Sequence, residues 1–183
     1  SAIMLAAAIQ LSSVPEQATN LRAAYDWLAR ARSAGASLIV LPELFPSYGD
    51  LELAAKQAEP IDGALISGLR EWTARQGVWL VTGSFAEFDP ATTAVYNTSL
   101  LIDPRGAIAA RYRKRHLFNI DLNAATRCSE GDVFTPGDAL TCVTTTAGTL
   151  GWGICFDLRF PEQFRALSRA GMEILLAPSA FTE

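Results

Sequence analysis

Short, continuous apolar runs recur along the chain, and segments with helical periodicity separate several of them. The runs "IMLAAAIQL", "LIVLP", "VWLVTG" and "EILLAP" have the length and composition of buried β-strands. Leu21 and Leu28 fall on one face of a helix that stops near Gly35, and Leu65 and Leu69 do the same in the next helix. Strands that alternate with helices predict an α/β fold, layered around a largely buried, mixed sheet.

Hairpin patterns occupy the middle of the chain. The stretch "VYNTSLLIDPRGAIAARYRK" predicts two strands joined by a turn at "DPRG", and "LTCVTTTAGTLGWGIC" predicts a second pair that turns near Gly148. Residues 115–138 are rich in Asn, Thr, Gly and charge, so we predict irregular structure there. The stretch "PEQFRALSRAG" predicts a helix with Pro161 near its start. We expect one domain over residues 1–183.

Composition excludes several classes of protein. Half of the 183 residues are hydrophobic and 19% are charged, which argues against disorder. A net charge of -4 without a basic face argues against nucleic-acid binding, and no run is long enough to span a membrane. The three cysteines have no CxxC spacing and there is one histidine, so no zinc pattern exists. An odd cysteine count in a domain of this size favours a soluble, cytoplasmic protein.

Three polar residues stand where apolar strands end, which is where sites gather in α/β folds. Glu43 follows "LIVLP", Lys114 follows "IAARYR" and Cys155 follows "LGWGI". Each also has a structural interpretation, because free cysteine packs like a small hydrophobe and a lysine in a basic run is usually solvated. For Cys155, the strand–turn–helix context predicts a lowered thiol pKa.

A cysteine nucleophile needs a base. His116 is the only histidine, so a Cys–His dyad is one option. A desolvated carboxylate such as Glu43 is the other, with Lys114 stabilising an oxyanion together with the backbone N–H that follows Cys155. Residue types and spacing alone leave both open.

Several motifs, in order along nearly the whole chain, resemble the carbon–nitrogen hydrolase family, also called the nitrilase superfamily. They are "LIVLPELF", "YNTSLLIDPRGAIAARYRKRHLF", "TPGD" and "GICFDLRFPEQFRAL" followed by "GMEILLAPSAF". The detail is most similar to the Nit-type amidases. The resemblance implies a four-layer αββα sandwich with mixed sheets, a homodimer or higher homo-oligomer, and no metal or organic cofactor. It also implies that the C-terminal part of the fold is missing after "PSAF".

The resemblance assigns roles to individual residues. The family's catalytic glutamate, lysine and cysteine match Glu43, Lys114 and Cys155. A second glutamate, which positions the lysine and substrate, matches Glu130 in "RCSEGD". The oxyanion donors are then Lys114 and the N–H of Phe156.

These roles predict the hydrolysis of a small carboxylate-bearing amide to acid and ammonia through a cysteine thioester. Arg159 is the candidate partner of the substrate carboxylate, since a guanidinium matches a carboxylate bidentately. The competing interpretation is an ion pair of Arg159 with Asp157 or Glu162. His116 becomes a structural residue beside the lysine. Alternative functions are a nitrilase, an N-carbamoyl amide hydrolase and a non-catalytic interaction protein that keeps the fold.

Overall fold

A computed structural model of the chain describes residues 4–123 and 126–181; for residues 121–123 and 126–128 it describes the backbone only. Within these ranges there are four α-helices. Three of them match the predicted helical patterns, and the short second helix was not predicted from the sequence. They are α1 (Gln17–Ser33), α2 (Leu51–Lys56), α3 (Ala64–Gln76) and α4 (Pro161–Arg169).

Eleven strands are present in the same ranges. Both predicted hairpins are confirmed, with turns between Ile102 and Ile108 and between Thr145 and Gly148. The strands are β1 (Ala6–Ala8), β2 (Leu38–Val40), β3 (Trp79–Val81), β4 (Phe85–Asp89), β5 (Ala94–Ile102), β6 (Ile108–Arg113), β7 (Asn119–Asn123), β8 (Thr126–Ser129), β9 (Cys142–Thr145), β10 (Gly148–Trp152) and β11 (Ile174–Leu176).

The first sheet has six strands and is mixed, as predicted. β1, β2 and β3 pair in parallel. β5 then runs antiparallel to β3 and β4 on one edge and to β6 on the other. A second sheet contains β9, β10 and β11, in which β10 pairs antiparallel with β9 and in parallel with β11.

Alternation along the strands divides the buried side chains between two cores. Ile39, Leu80 and Leu100 point toward the helices α1 and α3, where they pack with Leu28 and Leu69. Their chain neighbours point the opposite way because successive side chains of a strand alternate between faces.

The second core lies between the two sheets. Leu38, Val81 and Leu101 of the first sheet pack there against Trp152 and Leu176 of the second. All five side chains are buried. The two sheets therefore form a sandwich of the face-to-face type.

The outer face of the second sheet is covered by α4 and the turn that follows it. Leu167 of α4 is 1% exposed, and a methyl group at Gly151 of β10 would collide with Met172 Sδ. Helices α1 and α3, the first sheet, the second sheet and α4 thus form four successive layers. The predicted αββα sandwich is confirmed.

The prediction of irregular structure over residues 115–138 is wrong in part. β7 and β8 pair there as an antiparallel ribbon, and a 3₁₀ turn follows at Glu130–Asp132. The segment "NIDLN" does alternate apolar and polar residues over five positions, which is a strand pattern, whereas its partner "TRCS" has no clear apolar alternation. The ribbon carries Glu130 to the site.

Candidate active site

The predicted site residues stand just beyond the ends of strands in both sheets. Glu43 lies three residues after β2, Lys114 follows β6 directly, and Cys155 lies three residues after β10. Since β2 and β6 belong to the first sheet and β10 to the second, the packing of the two sheets brings these positions together.

The turn that carries Glu43 is held by the connection between β3 and β4. The Leu44 N–H donates to Ser84 Oγ at 2.9 Å, and the Ser84 N–H donates to the Pro42 carbonyl at 3.1 Å. Gly83 has φ +61°, and a Cβ there would collide with the Pro42 carbonyl oxygen. Glycine is therefore required at this approach, and the Glu43 turn is rigidly placed.

Lys114 lies between two glutamates in the protein interior. Its Nζ is 2.8 Å from Glu43 Oε1 and 2.9 Å from both carboxylate oxygens of Glu130. The lysine is 1% exposed, and the glutamates are 4% and 5% exposed. The interpretation of Lys114 as part of a solvated basic run is wrong. Its side chain turns into the protein interior, whereas Arg113 and Arg115 do not contact these two glutamates.

Further donors hold both carboxylates in place. Asn97 Nδ2 donates to Glu43 Oε1 at 3.0 Å, and the Ala180 N–H donates to Glu43 Oε2 at 3.0 Å. The Phe118 N–H donates to Glu130 Oε2 at 2.7 Å. Hydrogen bonds from several separate segments thus fix the carboxylates, as a preorganised site requires.

Burial and charge act in opposite directions on these groups. Burial raises the pKa of Glu43, and the nearby Lys114 charge offsets only part of that effect. Burial alone would lower the pKa of Lys114, but the charges of Glu43 and Glu130 outweigh it and the net pKa is raised. Lys114 therefore keeps its proton and its positive charge, while Glu43 is a stronger base than an exposed glutamate.

Cys155 begins a short 3₁₀ helix, Cys155–Arg159, and has φ +43°. This left-handed conformation is uncommon for a residue with a side chain and accompanies a sharp turn. The Cys155 N–H donates to the Pro178 carbonyl at 3.0 Å, and its Sγ lies 3.7 Å from the Ala180 carbonyl oxygen. The residue that donates to Glu43 therefore also contacts the thiol.

The expected lowering of the Cys155 pKa is wrong. Burial, followed by the negative charge of Glu43, raises the thiol pKa to about 11. A five-residue 3₁₀ helix offers little dipole to offset this. At neutral pH the thiol keeps its proton, so attack by sulfur requires a base beside it. Glu43 is that neighbour: its negative charge acts on the thiol, and Ala180 contacts both groups, Glu43 through its N–H and Cys155 Sγ through its carbonyl oxygen.

Phe156 lies half-buried among aromatic rings, with edge contacts to Phe118 at 5.2 Å and to Phe160 at 5.5 Å between ring centroids. Among residues 4–123 and 126–181, no acceptor forms a hydrogen bond with the Phe156 N–H. This donor follows the thiol directly in the chain and is available to a ligand oxygen.

The ion pair of Arg159 with Asp157 or Glu162, which was the competing interpretation, is not formed within the described residues. Asp157 is buried and bonded to other groups, and Glu162 pairs with Arg165 at 3.0 Å. Arg159 itself is exposed. The alternative Cys155–His116 dyad is also absent from the described part of the chain, since the His116 ring bonds to Asp157 and stacks on Phe160.

Two polar residues of the site region were not predicted from the sequence as members of the site. Asn97 is a polar residue within the buried strand β5, and Asp157 was weighed only as a partner of Arg159. Asn97 begins a run of three polar residues, 97–99, between the apolar residues of this strand, and all three side chains are buried; that polar run is the signal that the sequence offers for Asn97. Of the other cysteines, Cys142 is half-buried, and the side chain of Cys128 lies outside the described residues.

The arrangement combines a thiol, a base, a cation and a free N–H at one place. These are the groups that acyl transfer through a thioester uses. Among the described residues, there is no group of three or more His, Cys, Asp or Glu side chains that could hold a metal ion. No described helix is both long and apolar enough to cross a membrane.

Comparison with known proteins identifies a family whose members include amidases. Residues 5–183 match the family model described as carbon-nitrogen hydrolase. Deaminated glutathione amidase of Homo sapiens is 35% identical over 97% of this chain and 56% of its own length. The chain thus spans little more than half the length of this relative.

Solved structures share the fold. Nit3 of Saccharomyces cerevisiae, a member of branch 10 of the nitrilase superfamily, has a TM-score of 0.83 and 31% identity over 95% of this chain and 63% of its own. A mutant of the amidase from Nesterenkonia sp. AN1, with acrylamide added at its active-site cysteine, has a TM-score of 0.85 and 27% identity over 99% of this chain and 68% of its own. The chain belongs to the carbon-nitrogen hydrolase family.

Proposed function

We propose that the protein hydrolyses a small carboxylate-bearing amide to the acid and ammonia through a thioester on Cys155. One observation carries the proposal: Lys114 Nζ lies 2.8 Å from Glu43, both are buried, and Ala180 contacts both this glutamate and the Cys155 thiol. The names of the relatives, amidases, support the same reaction class.

In the first half of the reaction, Cys155 Sγ attacks the amide carbonyl carbon while Glu43 takes the thiol proton. Lys114 and the Phe156 N–H donate to the oxyanion that forms. The C–N bond then breaks, the proton passes from Glu43 to the departing nitrogen, and ammonia leaves. The raised pKa of Glu43 suits a group that must both accept and return this proton.

In the second half, water attacks the thioester carbonyl and gives one proton to Glu43. The C–S bond breaks, the acid leaves, and the proton returns to the thiol. Glu130 has a supporting role here: it is a second carboxylate that accepts from Lys114, with Nζ at 2.9 Å. This keeps the ammonium aimed at the reacting oxygen.

The substrate class depends on Arg159. Its guanidinium is exposed four residues beyond the nucleophile, and no described carboxylate pairs with it. A guanidinium in this place suits a substrate carboxylate. We also propose a cytoplasmic homodimer or higher homo-oligomer, which light scattering of the purified protein tests; the free Cys142 and Cys155 are in keeping with a reducing compartment.

Ammonia release from a panel of substrates tests the proposal. The panel contains ω-amides, deaminated glutathione, neutral amides, N-carbamoyl amino acids and nitriles. We expect release from acidic amides, none from the Cys155→Ala variant and full activity in the Cys142→Ala control. Turnover of nitriles or N-carbamoyl amino acids alone would redirect the assignment, and no turnover at all would favour a non-catalytic interaction protein.

A further inference from the structure

Asp157 is a fully buried carboxylate that the proposed mechanism does not use. It is 0% exposed and lies two residues after Cys155. Its Oδ1 accepts the His116 N–H at 3.0 Å and lies 2.6 Å from His116 Nδ1. Its Oδ2 accepts the Tyr112 hydroxyl at 2.6 Å and the Ile154 N–H at 2.8 Å. All four acceptor positions of the carboxylate are filled.

The origin of these donors relates Asp157 to the site. Tyr112 and His116 lie two residues before and two residues after Lys114. Ile154 directly precedes Cys155. One carboxylate therefore ties the segment that carries the lysine to the turn that carries the thiol, across the interface between the two sheets.

Only a carboxylate satisfies this set of donors. Asparagine has one acceptor oxygen and one NH₂ group. With the NH₂ group at the Oδ2 position it would face the Ile154 N–H, and at the Oδ1 position it would face the His116 N–H. Either orientation places a backbone donor against a donor, so Asp157→Asn must disturb one of the two segments.

A second residue reinforces the connection. Gln163 Nε2 donates to the Tyr112 hydroxyl at 2.9 Å and to the Trp152 carbonyl at 3.0 Å. The Tyr112 hydroxyl is thereby fixed both as donor and as acceptor. Cys155, with φ +43°, occupies an uncommon conformation that persists when the surroundings over-determine it.

We propose that Asp157 is a positioning residue, which holds the thiol of Cys155 in register with Glu43 and Lys114. The role rests on the function proposed above, although the geometry it describes is independent of any substrate. Asp157 touches no reacting atom and acts through the two segments that it joins.

The proposal predicts two effects of opposite sign. Without the Asp157 bonds the Cys155 turn relaxes, and a misplacement of about 1 Å lowers kcat by about 10²-fold. The thiol meanwhile loses burial and its contact with Glu43, which raise its pKa to about 11. Its pKa falls toward the ordinary thiol value near ~8.5. The variant is a slower enzyme with a more reactive free thiol at pH 9.

The experiment measures both effects in Asp157→Asn. Alkylation of the Cys155 peptide by iodoacetamide is followed by mass spectrometry from pH 7 to 12, and kcat and KM are measured by ammonia release. Glu87→Gln is the matched control: Glu87 is also buried and hydrogen-bonded, but it lies in another cluster. We expect the control to keep the wild-type alkylation midpoint and kcat, whatever its melting temperature.

A lower midpoint together with a lower kcat and a little-changed KM supports the positioning role. A wild-type midpoint and kcat in folded Asp157→Asn, with only the melting temperature reduced, would overturn it. If this variant does not fold, Tyr112→Phe decides, since it removes one of the four bonds and should shift both readouts in the same directions by less. If wild type releases no ammonia, the proposed function fails, while the alkylation midpoints still decide the role of Asp157.

Discussion

Two adjacent residues, Arg113 at the end of β6 and Lys114 directly after it, reach two different clusters of charged side chains. Arg113 is held by Glu87 at 2.7 Å and by Asp89 at 2.8 Å. Lys114 is held by two other glutamates at 2.8 and 2.9 Å. Each cation thus lies between two carboxylates. We name the groups the Arg113 cluster (Glu87, Asp89, Arg111 and Arg113) and the Lys114 cluster (Glu43, Lys114 and Glu130).

In the Arg113 cluster, every acceptor position of the central carboxylate is already occupied. Glu87 Oε1 accepts from Arg111 at 3.3 Å and from Arg113 at 2.7 Å. Its Oε2 accepts from Arg113 Nε at 3.0 Å and from the Thr98 hydroxyl. The guanidinium also stacks 3.7 Å from the Tyr96 ring centre. With every acceptor position filled, Glu87 has no place for a further proton.

The Lys114 cluster keeps one position open. Glu43 Oε1 accepts from Lys114 and Asn97, whereas Oε2 accepts a single donor among the described residues, the Ala180 N–H. The Cys155 thiol lies beside this carboxylate. The reactive cluster thus differs from the structural one by an acceptor position that the described residues leave unfilled near a nucleophile, and by the burial of all three of its side chains. Charge pairing is common to both clusters.

The largest expected effect separates the two glutamates. Glu43→Gln removes the open proton acceptor, so kcat falls by about 10²–10⁴-fold. Glu87→Gln leaves kcat at the wild-type value and lowers the free energy of unfolding by roughly 3 kcal/mol, because it breaks a buried ion pair. Steady-state kinetics and urea unfolding of both variants measure this. An equal loss of kcat in both would remove the distinction between the clusters.

The two cations give the next effect. Lys114→Ala removes an oxyanion donor and lowers kcat by about 10²–10³-fold. Arg113→Lys keeps the charge but loses the forked contact to Glu87, so stability falls while kcat is kept. Arg115→Ala serves as a second control. Similar small losses at all three positions, measured by ammonia release, would return Lys114 to a structural role.

Substrate selection gives a smaller effect. Arg159→Lys keeps the charge and loses the bidentate geometry, so kcat/KM for acidic amides falls by about ten- to a hundredfold, which corresponds to one charged hydrogen bond. The fall comes from KM, and neutral amides change little. The matched control is Arg165→Lys, whose arginine pairs with Glu162 on the same side of the sandwich. If acidic and neutral amides lose equally, Arg159 is structural.

The smallest effect concerns the acid limb of the pH profile. The reaction needs ionised Glu43, so kcat/KM falls as the pH decreases through the raised pKa of this group. The limb therefore lies above the pKa of an ordinary glutamate. Asn97→Ala removes a donor that favours the ionised form and should move the limb further upward. A limb that stays in place, or moves downward, would contradict the role of Asn97.

Much of the fold follows from local patterns in the sequence. The hairpin at "DPRG" was predictable because its turn residues and flanking apolar runs agree, and the register at Leu101 and Ala110 bears this out. The ribbon of β7 and β8 was missed: "NIDLN" alternates apolar and polar residues, but its partner strand "TRCS" has no such pattern to complete a hairpin. Spacing placed Glu43, Lys114 and Cys155 at strand ends, but only the resemblance to the family, and no local pattern, implied that they meet.

The sign of the Cys155 pKa shift shows the remaining limit. A strand–turn–helix context alone favours a thiolate. The actual shift depends on burial and on Glu43, which is 112 positions away in the chain. The inward turn of Lys114 beside the more exposed Arg113 and Arg115 likewise depends on carboxylates brought in by other elements. Long-range contacts, not local pattern, set the chemistry of the site.

The central claim is that the open acceptor of Glu43 makes Cys155, and no other cysteine, the nucleophile. Rapid acid quench of wild type during turnover of an acidic amide, followed by peptide mass spectrometry, tests it most directly. We expect an acyl adduct on the Cys155 peptide, much less adduct in Glu43→Gln and undiminished adduct in Glu87→Gln. An adduct on Cys142 or Cys128, or turnover by Cys155→Ala at the wild-type rate, would contradict it.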